Sequence, residues 1–247
     1  MTTDWIGKRY WIIGASEGIG RALAERLGAL GVNLVLSARS EDRLKELAAS
    51  LPRKADVVPV DVTDAAAVKA AVEAVGEIDG VIYVSGTYWP MTAGDWNAEQ
   101  VETMLDVNLM GAARVLGHVV PWFVARDRGH IVLTGSLAGY RGLPGAIGYG
   151  ASKAGLMSLG ESLQVDLRGT GVKVQIASPG FVKTRLTDKN DFKMPFIMSP
   201  EDVAHEYVEL MMSDAMSRSF PTLFSWIMRL SQLLPDWLYF PLFGRKS

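Results

Sequence analysis

The chain of 247 residues contains no cysteine, which excludes disulfides, thiolate nucleophiles and cysteine-based metal sites. It has only three histidines, His118, His130 and His205. Their separations fit no metal-ligand spacing, so structural or surface roles are expected for them. An excess of one charge is also missing. The 25 Lys and Arg against 27 Asp and Glu leave a net charge of -2, which gives no reason to expect nucleic acid or an anionic membrane as a main partner. A purely apolar run long enough to span a bilayer, about 18 residues, is absent as well. The nearest is FPTLFSWIMRLSQLLPDWLYFPLF, which Arg229, Asp236 and three prolines interrupt. There is no repeat, low-complexity tract or linker, so one domain over 1–247 is expected. The opening MTTDWIGKRYWIIGAS reaches glycine and small residues before a secretory apolar segment could form, so a cytoplasmic location is expected.

What the sequence does have is alternation. Apolar runs (RYWIIG, NLVLSA, DVVPV, GVIYVSG, HIVLTGS, VKVQIASPG) are each separated by a helical pattern. Continuous Val/Ile/Leu strands with helices between them predict a parallel sheet covered on both faces, that is, a doubly wound α/β three-layer sandwich of about seven strands. A long helix is predicted from about Ala98 to Ala125, and another from YGASK to about Arg168. SPEDVA reads as a helix start, with Ser199 as N-cap and Pro200 at the first helical position. SRSF reads as a short last strand. The Met-rich stretches near 194–198 and 211–216 are expected to serve packing.

Two local patterns carry chemistry. The first is GASEGIG, directly after the first strand, with Gly14, Gly18 and Gly20 opening a helix. In that context glycines permit a tight turn and close approach of a pyrophosphate to a helix N-terminus. At the end of the second strand, where an NAD site places a carboxylate, the sequence reads Ser37-Ala38-Arg39-Ser40. Arg39 suits a 2′-phosphate, with Ser16 and Ser40 as hydroxyl donors, so NADP(H) is favoured over NAD(H). Glu17 stands against that choice, because its carboxylate would repel the same phosphate. The second pattern is YGASK, in which Tyr149 and Lys153 lie one helical turn apart with only small residues between them. With 7 tyrosines in the chain, about 0.3 such matches arise by chance, so the pair is weak alone. A phenol next to a cation is nevertheless expected to have a lowered pKa. Gly150, Ala151 and Ser152 are expected to leave room for cofactor and substrate.

Together these motifs resemble the short-chain dehydrogenase/reductase family over residues from about 8 to 185. GASEGIG is similar to that family's cofactor loop, from Gly14 and Ser16 through Glu17, Gly18, Ile19 and Gly20. The resemblance places Asp61 and Val62 on the adenine ring, and Ser85 and Gly86 at the close approach after the fourth strand. It implies an active site of Asn108 (in VNLMG), Ser136 (in GSLAG), Tyr149 and Lys153. Pro179, Gly180, Val182 and Thr184 (in SPGFVKT) match the loop that holds the nicotinamide. Val84 departs from the pattern, since the family usually has an asparagine there, and this puts local rigidity in question. The implied chemistry is interconversion of a ketone or aldehyde with an alcohol. Tyr149 would exchange the proton, Lys153 would tune it and grip the ribose, Ser136 would hold the substrate oxygen, and Asn108 would order a water leading to solvent. An NAD-linked dehydrogenase and a non-catalytic dinucleotide sensor are the alternatives. The family's habit of pairing through two long helices implies a homodimer or homotetramer. Two apolar segments, TYWPM (87–91) and KMPFIM (193–198), are expected to frame a cleft for an apolar substrate. The region from about 186 to 247 is read as a substrate loop and apolar extension. Its tail is expected to be a lid or an interface rather than a membrane contact, because its prolines break the apolar run.

Overall fold

The computed structural model of the chain describes residues 5–244. Its centre is a seven-stranded sheet in the order β3-β2-β1-β4-β5-β6-β7. The strands are β1 (Arg9–Ile13), β2 (Asn33–Ser37), β3 (Asp56–Val57), β4 (Gly80–Tyr83), β5 (Gly129–Thr134), β6 (Val172–Pro179) and β7 (Ser217–Phe220). Every neighbouring pair is parallel. Between them run the helices α1 (Gly18–Ala29), α2 (Glu41–Ser50), α3 (Ala65–Val75), α4 (Ala98–Leu105), α5 (Gly111–Ala125), α6 (Ile147–Asp166) and α7 (Pro200–Met212).

The period of two along each strand sorts the core into two layers. Tyr10 and Ile12 of β1 join one cluster with Leu23 and Leu27 of α1, Leu44 of α2 and Tyr207 of α7. Trp11 and Ile13 point the other way, into a cluster with Val68 of α3, Phe123 of α5 and Leu156 of α6. The strand order reverses between β1 and β4. In doubly wound sheets the crevice outside the strand ends at that point is where ligands bind.

DVVPV forms a shorter strand than its apolar pattern suggests. Asp56–Val57 form the paired strand, and Val58 N and Val60 N still donate to Leu36 O and Ala38 O at 3.0 and 3.1 Å, so Pro59 falls where its missing donor would face the open edge of β3. Val84 packs against the first core cluster and its N–H donates to Ile13 O at 2.8 Å, so apolar packing and a backbone bond hold the segment where the family uses asparagine. Ser199 caps α7 by accepting from Asp202 N. His130 is buried between Tyr10 and Gln175: the Tyr10 hydroxyl donates to its Nδ1 at 2.9 Å, and its Nε2 donates to Gln175 Oε1 at 2.9 Å. Burial, with the nearby Lys173 charge, lowers its pKa to about 4.

The tail forms two helices, α8 (Thr222–Ser231) and α9 (Asp236–Phe243). Pro221 and Pro235 stand at their N-caps, a place where a missing N–H costs nothing. Pro221 and Pro235 start the two helices and Pro235 separates them, so the apolar run is divided into short pieces, with Pro241 inside α9.

Candidate active site

The glycine loop closes tightly on the protein. Gly14 has φ +100, and a Cβ there would lie 2.5 Å from Ser85 N. This is the contact that brings the Ser85-Gly86 turn against the first loop. The N-terminus of α1 has no side-chain cap and no acid in its first turn. Its backbone donors therefore face the crevice unclaimed by a cap, as a bound pyrophosphate needs. Ser16, Gly18 and Ile19 are partly exposed along this edge. Thr184 reaches the same place from the loop after β6, its Cγ2 being 3.1 Å from where a Gly18 Cβ would stand. Pro179 and Val182 are buried and Gly180 is partly buried. Asp61 is held below the usual carboxylate range although burial opposes this: hydrogen bonds from Thr63 N and Oγ1 and the charge of Arg39 outweigh it. Val62 beside it is buried.

Arg39 lies exposed at the tip of β2, next to the partly buried Ser40. Glu17 does not face this tip as a free charge. Its carboxylate pairs with Arg43 at 2.8 Å and Arg185 at 3.2 Å. Neither partner could be placed from the sequence, because Arg43 comes from α2 and Arg185 from the loop after β6.

The helix predicted from Ala98 to Ala125 runs through, but as α4, a π turn over Asp106–Met110, and α5. Such turns recur at functional sites. This one is pinned by the Tyr83 hydroxyl donating to Val107 O at 2.6 Å and by the Arg114–Asp106 pair at 2.7 Å. It turns Asn108 inward, fully buried. Its Oδ1 accepts from Thr87 N at 2.7 Å, and its Nδ2 donates to Thr87 O at 3.0 Å and Ser152 Oγ at 2.9 Å. The Asn108 side chain is thus committed to protein partners.

Tyr149 and Lys153 occupy one face of α6, as their spacing requires. The Lys153 Nζ is 5.8 Å from the Tyr149 ring centre and donates to Thr134 O at 2.8 Å. Burial brings Lys153 down to about 8. The expected lowering of Tyr149 is not expressed in the protein alone: burial raises its phenol, and a hydrogen bond with Ser136 offsets this only in part. Ser136 also accepts from Ala138 N at 3.1 Å. The ring of Tyr149 meets that of Tyr88 edge-on, with centres 5.1 Å apart. The small residues also govern how α6 packs. Ala151 is exposed on the far side of α6. Ser152 packs onto Asn108, and a Cβ on Gly150 would press to 3.2 Å from Ala138 O. Gly150 and Ser152 thus let the helix sit close to its neighbours.

A cavity of about 120 Å³ opens beside Ser136 and Tyr149. Tyr88 is the only residue of TYWPM in its lining, and none of KMPFIM lines it. Phe181, Leu186 and Phe192 do, together with Phe224 of α8. The apolar character of the cleft was legible in the sequence, but its walls were displaced by a few residues, and the tail's contribution came from across the fold. The Tyr88 hydroxyl donates to Asn190 Oδ1 at 2.9 Å, tying the two sides of the opening together.

A fold with a glycine loop at the strand switch and a Ser-Tyr-Lys cluster over an apolar cavity defines a dinucleotide-dependent oxidoreductase. The family model of the short chain dehydrogenases matches residues 8–194. Over 239 residues the chain is 39% identical to an uncharacterized oxidoreductase of Myxococcus xanthus, covering 92% of this chain and 93% of that one. Among solved structures it is similar to a short chain dehydrogenase/reductase from Burkholderia phymatum in complex with NAD, with TM-score 0.84, 26% identity and 94% and 95% of the two chains covered. It is also similar to a serine dehydrogenase complexed with NADP+, with TM-score 0.79, 26% identity and 86% and 94% covered. The chain belongs to the short-chain dehydrogenase/reductase family. It is an enzyme acting on CH–OH and C=O groups, with a nicotinamide dinucleotide as cofactor.

Proposed function

We propose that this enzyme is an NADP(H)-dependent carbonyl reductase for apolar ketones or aldehydes, with Asn108, Ser136, Tyr149 and Lys153 as its active site. The observation that carries this reading is the cavity that joins the hydroxyls of Ser136 and Tyr149 to walls of Phe181, Phe192 and Phe224. When bound, the nicotinamide supplies the hydride. Ser136 and Tyr149 hold the carbonyl oxygen. The raised phenol keeps its proton at neutral pH and gives it to that oxygen, leaving an alcohol and a phenolate. The Lys153 ammonium, on the same helical face, stabilises the phenolate. Asn108 positions Thr87 and Ser152 around them. The test is a screen of NADPH consumption over carbonyl compounds. Apolar ketones should turn over faster than sugars or polyols of similar size, and the reverse order would overturn the apolar assignment.

Arg39 supports the choice of NADP(H). It is the cation at the β2 tip, and the carboxylate that would oppose a 2′-phosphate is engaged by Arg43 and Arg185. Arg39→Asp should weaken NADPH binding about tenfold or more and spare NADH. Equal losses for the two cofactors would remove Arg39 from the 2′-phosphate site. A homodimer or homotetramer through the long helices fits the exposed Met110 and Trp122 on the Ala98–Ala125 run and Val165 on α6.

A further inference from the structure

The helix α8 is turned inside out for a water-soluble surface. Towards the protein it buries Ser225, Met228 and Ser231, the two serines satisfying their hydroxyls on Thr222 O and Met228 O. Towards solvent it presents Leu223, Trp226, Ile227 and Leu230, spaced as one helical face. The following turn and α9 continue that surface with Leu233 at 80% exposure, Trp237 at 76%, Phe240 and Leu242. On the other side of the cavity opening, Phe192, Phe196 and Ile197 are exposed as well, and Phe196 stacks on Phe224 with ring centres 6.0 Å apart. Eleven of the twenty exposed large apolar side chains among the described residues therefore lie in these two segments. The two segments meet where Phe196 stacks on Phe224, so these side chains are clustered and are not scattered surface leucines.

The patch is held rigidly. Arg141 donates to Ser231 O and Leu234 O at 2.8 and 2.7 Å and pairs with Asp236. Its guanidinium lies 3.8 Å over the ring of Tyr239, whose hydroxyl donates to Gly142 O at 2.7 Å. The apolar face is thus oriented outward by polar contacts beneath it.

Charge separates the candidate occupants. Residues 183–198 and 221–244 hold five Lys and Arg against three Asp and no Glu. Arg185 is paired with Glu17 and Asp236 with Arg141, which leaves four cations to two carboxylates there, although the whole chain has a net charge of -2. A second copy placed on this face about a twofold axis would bring two basic regions together. An anionic bilayer would neutralise them, and Trp, Phe and Leu above a basic rim are the side chains that settle at a lipid headgroup boundary. We propose that α8, α9 and the 192–197 loop form a docking surface for an anionic phospholipid membrane, with the cavity opening beside it. An apolar substrate would then reach the cavity without crossing water, a clause that rests on the substrate class proposed above. Docking itself does not.

The experiment is flotation of the full chain with phosphatidylcholine vesicles, with and without phosphatidylglycerol. The protein should float with the anionic vesicles and bind about tenfold less to the neutral ones. The double variant Trp226→Ser/Trp237→Ser removes two side chains that are 55% and 76% exposed. It should keep its melting temperature and NADPH binding while losing about tenfold in vesicle affinity. No flotation with either vesicle overturns the proposal, as does unchanged binding by the variant. A wild-type chain that ignores vesicles but loses a dimer on this substitution would assign the face to a second copy. The readout is binding and not turnover, so it stands or falls apart from the substrate assignment.

Discussion

Tyr149→Phe is expected to lower kcat by about 100- to 10,000-fold, the range for loss of a positioned proton donor. Dinucleotide affinity should stay within about twofold, because the ring is kept and no cofactor contact is attributed to the hydroxyl alone. Phenylalanine preserves the edge-on contact with Tyr88, whose ring centre is 5.1 Å away, so the cavity wall survives the change. Single-turnover kinetics alongside fluorescence titration with NADPH would separate the two effects. Retention of more than about a tenth of kcat would remove Tyr149 from proton transfer. The pH profile offers a second check. Burial lowers Lys153 to about 8, so the ammonium is present at neutral pH and is lost as pH rises past that value. Reduction by the wild-type chain should therefore slow above pH 8 or so.

Asn108→Ala should destabilise the fold by about 3 kcal/mol, because it strands several buried polar groups together. The side chain is fully buried, and its removal leaves Thr87 N, Thr87 O and the Ser152 hydroxyl without the partner they now have. The π turn of Asp106–Met110 would also lose the contact that fixes its inward residue. Urea denaturation measures the effect, and a loss below about 1 kcal/mol would mean that water replaces the amide without penalty. Activity should fall too, since Thr87 precedes the Tyr88 that leans on Tyr149.

The features legible in the sequence are those with local causes. Alternating apolar runs gave the parallel sheet and its two-sided core, because strand period and helix period are written residue by residue. GASEGIG was legible as a loop before a helix, and Tyr149 and Lys153 as two groups on one helical face. The π turn was not legible, since it is fixed by Tyr83 reaching from β4 to Val107 O. The engagement of Glu17 depends on Arg43 and Arg185 arriving from separate segments. The direction of the Tyr149 shift depends on burial, which spacing cannot supply. The prolines divide the tail as its sequence suggests, but that the pieces on either side are helices was not legible, because that depends on what they pack against.

The helix α7 has a consequence for how the enzyme answers to its cofactor. Its Val203, Tyr207 and Leu210 share a core with Leu23 and Leu27 of α1, and His205 bonds Arg26 of that helix at 2.7 Å. Tyr207 also donates to Thr134 Oγ1 at 2.7 Å, on the residue whose carbonyl receives Lys153. One brace near the end of the chain thus supports both the helix that opens the glycine loop and the strand end that anchors the lysine. A ligand seated on α1 draws its stabilisation through the same brace. Saturating dinucleotide should therefore raise the temperature at which α7 comes away from α1, read as protease resistance of the last quarter of the chain on heating.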